Sequence, residues 1–173
     1  MNKLKISQVQ FQASHVPTLN AKIIEKSFNN TLKFKPHLIC TPECSNIITN
    51  DKSYLILNAP YQNTCPVLKM AKDFAKKNKV NINLGYLVLR IKNKTKLVNR
   101  SFFINNYGVI KKTYDKIHMF DVEINNKEKH QESSLFKAGN KIIFTKIKNI
   151  KLGMTICYDC LLYTSPSPRD SNL

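Results

Sequence analysis

Strand-like and helix-like segments alternate through the first part of the chain, and a run of adjacent strands follows. That order restricts the fold more than any other feature of the sequence. Residues 4–12 pattern as a strand, with Leu4 and Ile6 on one face and Val9 and Phe11 on the other. Pro17 and Thr18 open a helical segment in which Leu19, Ile23, Ile24, Phe28 and Leu32 recur at helical spacing, and Pro36 ends it. Leu38-Ile39-Cys40 reads as a short buried strand running into Thr41-Pro42-Glu43. Residues 61–79 read as a second amphipathic helix, with Val67, Met70, Ala71, Phe74 and Ala75 inward and Lys72, Lys76 and Lys77 outward. Strands over 81–91, 96–104 and 109–114 come next, and Asn105-Asn106-Tyr107-Gly108 has the Asn/Gly chemistry of a hairpin. This order indicates a layered α/β or α+β fold.

Two later segments complete the pattern. Residues 115–140 are polar and without periodicity, which predicts a long loop, and loops of that length are seldom without a use. Residues 141–147 and 151–156 predict a final hairpin. Leu152, Met154 and Ile156 alternate with more polar neighbours, so this half-buried strand should deliver Cys157 at its C-terminal end. Beyond Asp159 the composition shifts. Residues 160–173 hold no lysine or isoleucine but two of the seven prolines and three serines. They read as a non-native or disordered tail, with 1–159 as the ordered part and Cys160-Leu161-Leu162-Tyr163-Thr164-Ser165-Pro166-Ser167-Pro168-Arg169-Asp170-Ser171 resembling translated adapter or vector read-through.

Composition narrows the function classes. The chain has 173 residues, five cysteines and a formal charge of +17. Its length suits one ordinary domain. The apolar runs Tyr54–Leu57 and Leu84–Leu89 are strand-sized, far short of a bilayer span, and Ser7, Gln8, Gln10 and Gln12 interrupt any signal-peptide core. Reduced thiols and a cytoplasmic location are therefore expected. The charge invites a nucleic-acid reading. Lysine outnumbers arginine 25 to 3, however, and the lysines are dispersed. That is a compositional bias, which bears on solubility rather than fold, so no nucleic-acid partner is expected.

Four side chains carry candidate chemistry. Cys157 is a candidate nucleophile. Glu43, directly after a buried strand, should be partly desolvated and so suited to accept and return a proton, although an ordinary loop glutamate is the plain alternative. Lys116, where a strand gives way to the long loop, is placed to face an oxyanion, against the alternative of a solvated surface lysine. Glu132, in the long loop, is a candidate to orient the lysine or the substrate. His118 with Cys157 and Asp121 or Asp159 would offer a Cys-His-Asp arrangement instead. Cys40 and Cys44 with Cys157-Tyr158-Asp159-Cys160 would offer a four-cysteine zinc site. Against zinc stand the suspect position of Cys160, the looser first spacing and the lack of a Gly-rich knuckle. Cys65 reads as packing.

Taken together, Thr41-Pro42-Glu43, Tyr114-Asp115-Lys116-Ile117-His118-Met119-Phe120-Asp121 and Gly153-Met154-Thr155-Ile156-Cys157-Tyr158-Asp159 resemble, in order, the glutamate, lysine and cysteine motifs of the nitrilase or carbon–nitrogen hydrolase superfamily. Glu132-Ser133 and Ala138-Gly139 fall where that family has its second glutamate and a glycine turn. The Lys-Ile-His-Met-Phe-Asp-Val wording looks most like the branch of omega-amidases and deaminated-glutathione amidases. The resemblance implies a four-layer αββα sandwich, incomplete at its C-terminus, and hydrolysis of a small carboxylic amide through a Cys157 thioester. Nitrile or N-carbamoyl hydrolysis is the alternative within the family. It also implies catalytic roles for Glu43, Lys116, Cys157 and Glu132, no metal or organic cofactor, and a parent that is a homo-oligomer. The chain departs from the family pattern after Asp159, so it is expected to be an N-terminal fragment, inactive alone, with exposed sheet edges.

Overall fold

A computed structural model describes residues 3–125 and 128–161. Its centre is a five-stranded sheet in the order β1 (Ile6–Gln8), β2 (Leu38–Cys40), β3 (Asn81–Arg90), β4 (Leu97–Ile104) and β5 (Ile110–Asp115). The β1–β2 and β2–β3 pairs are parallel, so each needs a crossover, while β3–β4 and β4–β5 are antiparallel and need only turns. The crossovers are α1 (Pro17–Thr31) and a longer passage containing α2 (Lys52–Asn58) and α3 (Pro66–Asn78). At β4–β5 the expected turn forms: the Gly108 N–H donates to the Asn105 carbonyl at 2.8 Å, with Gly108 at φ +77°.

The two faces of the sheet bury different cores. On one, α1 and α3 lie side by side, with Phe28 and Phe74 edge to face at 5.2 Å over Ile82, Leu84, Leu87 and Phe102. The other face buries Leu38, Ile47, Leu55, Tyr86, Val88 and Phe103 with Ile147, Met154 and Ile156 from the last hairpin. In β3 the alternation changes phase. Ile82 and Leu84 face the helices, yet so do Leu87 and Leu89, because the register shifts between Leu84 and Leu87. This bulge turns Tyr86 and Val88 to the second face. Gly85 sits within it, and a Cβ there would lie 2.4 Å from the Thr41 carbonyl oxygen and 2.5 Å from that of Pro42.

Several expected boundaries move. The first strand is only Ile6–Gln8, and the second amphipathic helix starts at Pro66, where proline's missing N–H costs nothing, after a 3₁₀ turn at Gln62–Thr64. The apolar run at Tyr54–Leu57 is helical because Asp51 caps it, accepting from the Tyr54 N–H at 3.0 Å. The predicted loop over 115–140 instead contains a hairpin of β6 (Asp121–Asn125) and β7 (Glu128–Gln131) and a single helical turn, α4 (Glu132–Leu135). The last hairpin forms as β8 (Phe144–Ile147) and β9 (Ile150–Gly153), so the strand stops before Cys157 rather than delivering it. Cys157 opens a 3₁₀ turn, Cys157–Leu161. The tail expected over 160–173 lies, beyond Leu161, outside the described residues.

Gly85→Ala should therefore be costly, because its new methyl meets backbone rather than a movable side-chain end. We expect a loss of about 2 kcal/mol or more in urea unfolding, within the range of overpacked backbone contacts. An alanine variant as stable as wild type would show that the close approach is not essential.

Candidate active site

The loop after β2 carries Glu43 and is fastened to the bulged part of β3. Thr41 accepts from the Gly85 N–H through Oγ1 at 3.0 Å, and the Ser45 N–H donates to the Tyr86 carbonyl at 3.1 Å. Asn46, fully buried, donates to the Val88 carbonyl at 2.7 Å and accepts from the Val88 N–H at 2.8 Å, so its amide completes the ladder where β2 has ended. Asn20 reaches from α1 to the Asn46 carbonyl at 2.8 Å. Between these ties Glu43 is exposed, not partly desolvated as its place after a buried strand predicts. The strand ends at Cys40, and the loop then turns outward through Cys44 at φ +48°.

Lys116 follows β5 directly. It is 3% exposed, and its Nζ lies 2.6 Å from Glu132 Oε2. Glu132 Oε2 also accepts from the Phe120 N–H at 2.7 Å, and Oε1 accepts from Asn99 Nδ2 at 2.7 Å. Glu132 is thus held by three donors, which compensates the burial of two opposite charges. The backbone of Lys116 is clamped as well. Its N–H donates to the Asn99 carbonyl at 3.0 Å, and its own carbonyl accepts from the Gly139 N–H at 2.8 Å. A Cβ at Gly139 would come within 2.4 Å of the Asp115 carbonyl oxygen, so the Ala138-Gly139 turn needs its glycine to reach the lysine.

Cys157 adopts the left-handed conformation, φ +49°, a strained choice for a residue with a Cβ. Asp159, 4% exposed, holds that turn. Its carboxylate accepts from the Ile156 N–H at 3.0 Å, the Tyr114 hydroxyl at 2.6 Å and the His118 N–H at 2.8 Å, with His118 Nδ1 3.0 Å away. Burial raises its proton affinity, but the hydrogen bonds from Tyr114, the His118 and Ile156 N–H groups and the His118 ring outweigh that. They hold the carboxyl below the ordinary range. His118 therefore belongs to Asp159. The groups acting on the Cys157 thiol are Glu43, Lys116 and the Tyr158 N–H. That thiol is raised above its ordinary value, first by desolvation and then by the charge and hydrogen bond of Glu43, with Lys116 and the Tyr158 N–H opposing.

Glu43, Lys116, Glu132 and Cys157 all line one cavity of about 490 Å³, together with Tyr86 and Phe120. Such a thiol is protonated at neutral pH and needs a base to become a nucleophile, and an exposed carboxylate stands beside it. Cys44 lines the same cavity, but burial above all pushes its thiol up to about 11, and its Sγ lies 2.7 Å from the Tyr86 hydroxyl. Cys65 is buried in the helix-side core. Among the described residues no group of three or more His, Cys, Asp or Glu is placed to hold a metal ion. Sequence reasoning missed Asn99, Asn46 and the tether role of Asp159. A buried-strand position that alternates with Leu97 and Phe103 yet holds an asparagine is the one signal that would have pointed to Asn99.

A model of the carbon-nitrogen hydrolase family matches residues 7–164. The chain is 31% identical over 166 residues to the deaminated glutathione amidase of Dictyostelium discoideum, covering 92% of this chain and 57% of that protein. It is 27% identical over 165 residues to omega-amidase NIT3 of Saccharomyces cerevisiae, covering 91% of this chain and 56% of that one. The crystal structure of the C. elegans NitFhit protein superposes with a TM-score of 0.80 at 25% identity, over 92% of this chain and 38% of that chain. The fold is thus the mixed α/β architecture of the nitrilase superfamily. The chain spans little more than half the length of the two curated relatives.

Asp159 gives a test with a defined sign. Its folded proton affinity is depressed, so its contribution is present above the ordinary carboxylate pKa of about 3.9 and is lost as pH falls through the lower folded value. Asp159→Asn should cost about 1–3 kcal/mol at pH 7, the range for unpairing buried donors. The gap from wild type should then close under acid in urea titrations. A gap that stays constant down to pH 2 would remove Asp159 as its source.

Proposed function

The chain belongs to the carbon–nitrogen hydrolase family, and we propose that it is the N-terminal part, residues 1–159, of an amidase. The enzyme releases ammonia from a small carboxylic amide, of the omega-amide or deaminated-glutathione kind. The observation that carries this reading is that Glu43, Lys116 and Cys157, from three separate elements, line one cavity. The names of the similar proteins favour an amide over a nitrile or N-carbamoyl substrate.

In the proposed reaction Glu43 takes the Cys157 thiol proton as Sγ bonds to the amide carbonyl carbon. The carbonyl oxygen becomes an oxyanion facing the Lys116 ammonium and the Tyr158 N–H, and losing one such donor typically costs about 2.7–4 kcal/mol. The C–N bond then breaks, Glu43 returns its proton to the departing ammonia, and a thioester remains. Glu43 next removes a proton from water, which adds to the thioester carbon, and the acid leaves as the thiol is restored. Glu132 positions Lys116. Thiol, carboxylate and ammonium supply every step. No helix among the described residues is long and apolar enough to cross a membrane. A nucleophile that must stay a free thiol suits a reducing compartment such as the cytoplasm. The active unit is a homo-oligomer of the full-length protein, and the 173-residue chain alone is inactive.

Two variants of the full-length protein test the reading. Cys157→Ala should reduce ammonia release from succinamate to background. Glu43→Gln should lower it by about 10²–10⁴-fold, as for loss of a general base. Undiminished turnover in Cys157→Ala would refute the assignment. Undiminished turnover in Glu43→Gln would remove Glu43 as the base.

A further inference from the structure

We propose that a groove on the helix-bearing side of the sheet, between α3 and the ends of β3 and β4, binds a small phosphorylated ligand. The groove has a volume of about 580 Å³ and shares no lining residue with the candidate active site. Strand alternation separates the two: Asn99 points to Glu132, whereas Arg100, next in β4, opens on the groove.

Lysine outnumbers arginine 25 to 3 in this chain, yet Arg90 and Arg100 both line this groove, and the third arginine, Arg169, lies outside the described residues. A guanidinium offers a rigid planar fork that matches oxyanions, which an ammonium does not. Arg100 is already engaged. Its Nε and one terminal nitrogen bind both oxygens of Asp115 at 2.6 and 2.8 Å, and its other terminal nitrogen donates to Gln62 at 2.9 Å. It is a fixed wall whose charge Asp115 neutralises.

Arg90 is different. Its guanidinium carbon lies 4.6 Å from the centre of the Tyr61 ring, its Nε is buried without a partner, and among the described residues no side-chain hydrogen bond occupies its other nitrogens on the groove wall. A guanidinium whose forked donors are unpaired on a groove wall offers an anion a charge-assisted partner. Lys69 and Lys72, one turn apart on α3, and Lys92, just past β3, also face the groove. Among the described residues these three lysines and Arg90 form no ion pair, and the remaining carboxylate on the wall is Asp73. Four uncompensated cations against one carboxylate is a field for a multiply charged anion. The groove is larger than one phosphate requires, which leaves room for an organic group. A nucleic-acid strand fits less well, because among the described residues Tyr61 is the one aromatic ring on the wall and the Arg90 guanidinium already covers one of its faces.

Pyrophosphate titrated calorimetrically into the full-length protein tests the site. Saturable 1:1 binding is expected, weakened by at least about tenfold in Arg90→Gln, as for loss of a charge-assisted fork. The double variant Lys69→Gln/Lys72→Gln should also weaken it, and because both side chains are exposed on α3 that protein should melt like wild type. Lys22→Gln, on α1 and away from the groove, should bind as wild type does. Absence of saturable binding would overturn the proposal. So would wild-type affinity in both groove variants, an equal loss in Lys22→Gln, or a single-stranded oligonucleotide that binds more tightly than pyrophosphate and ignores Arg90→Gln.

Discussion

Asp159 is the contact on which the geometry of the site depends. Its buried carboxylate reaches the backbone of the nucleophile's own turn, through the Ile156 N–H, and the element that carries Lys116, through Tyr114 and His118. The Cys157 turn and the segment that carries Lys116 are therefore tied together by one short side chain that accepts from both. The same contact explains how Cys157 tolerates φ +49°. A left-handed non-glycine residue costs on the order of 1–3 kcal/mol, and it persists only where its surroundings over-determine it. With the acceptors of Asp159 fixed on one side and β9 on the other, the chain between them has little freedom to relax.

The second constraint is the β3 bulge. Without it, the alternation begun by Ile82 and Leu84 would send Tyr86 and Val88 into the helix core and Leu87 and Leu89 toward the cavity. The shift lets β3 serve two cores, and it also creates the ladder groups that Thr41, Ser45 and Asn46 satisfy. The Glu43 loop is thus attached to the strand by the same irregularity that faces Tyr86 to the cavity. Gly85 is required there for space, since two carbonyl oxygens occupy the volume of its absent side chain.

Much of this was legible from the residues. Leu38-Ile39-Cys40, α1 and β3 to β5 follow from periodicity, because long amphipathic segments bury one face and their pattern records it. Glu43, Lys116, Glu132 and Cys157 were selected by their positions at element ends and by the family resemblance, and they line one cavity. What escaped depends on contacts distant in sequence. Residues 115–140 lack periodicity because β6 and β7 pair with each other outside the main sheet, and α4 is one turn long. The α2 helix was hidden because a short apolar run does not distinguish strand from helix, and Asp51 decides it locally. Asp159 looked like a possible triad member. Only the fold shows its carboxylate fully occupied by Tyr114, His118 and Ile156.

The contrast between Lys116 and Glu43 completes the electrostatic picture. Lys116 is buried and paired, so its charge is fixed in place and cannot follow the substrate; a fixed charge suits a group that must stabilise an oxyanion without reorganising. Glu43 is exposed and its loop is anchored on both flanks, so the backbone is rigid while the carboxylate keeps access to protons. The reaction proposed above needs a base that cycles between thiol, leaving amine and water, and exposure gives a carboxylate that access. Cys157 lies between these two influences, and its raised thiol shows that desolvation and the carboxylate outweigh the ammonium. The resting thiol is consequently neutral. In the proposed reaction its proton moves to Glu43 as the sulfur attacks, which would couple activation of sulfur to the presence of an electrophile rather than to bulk pH.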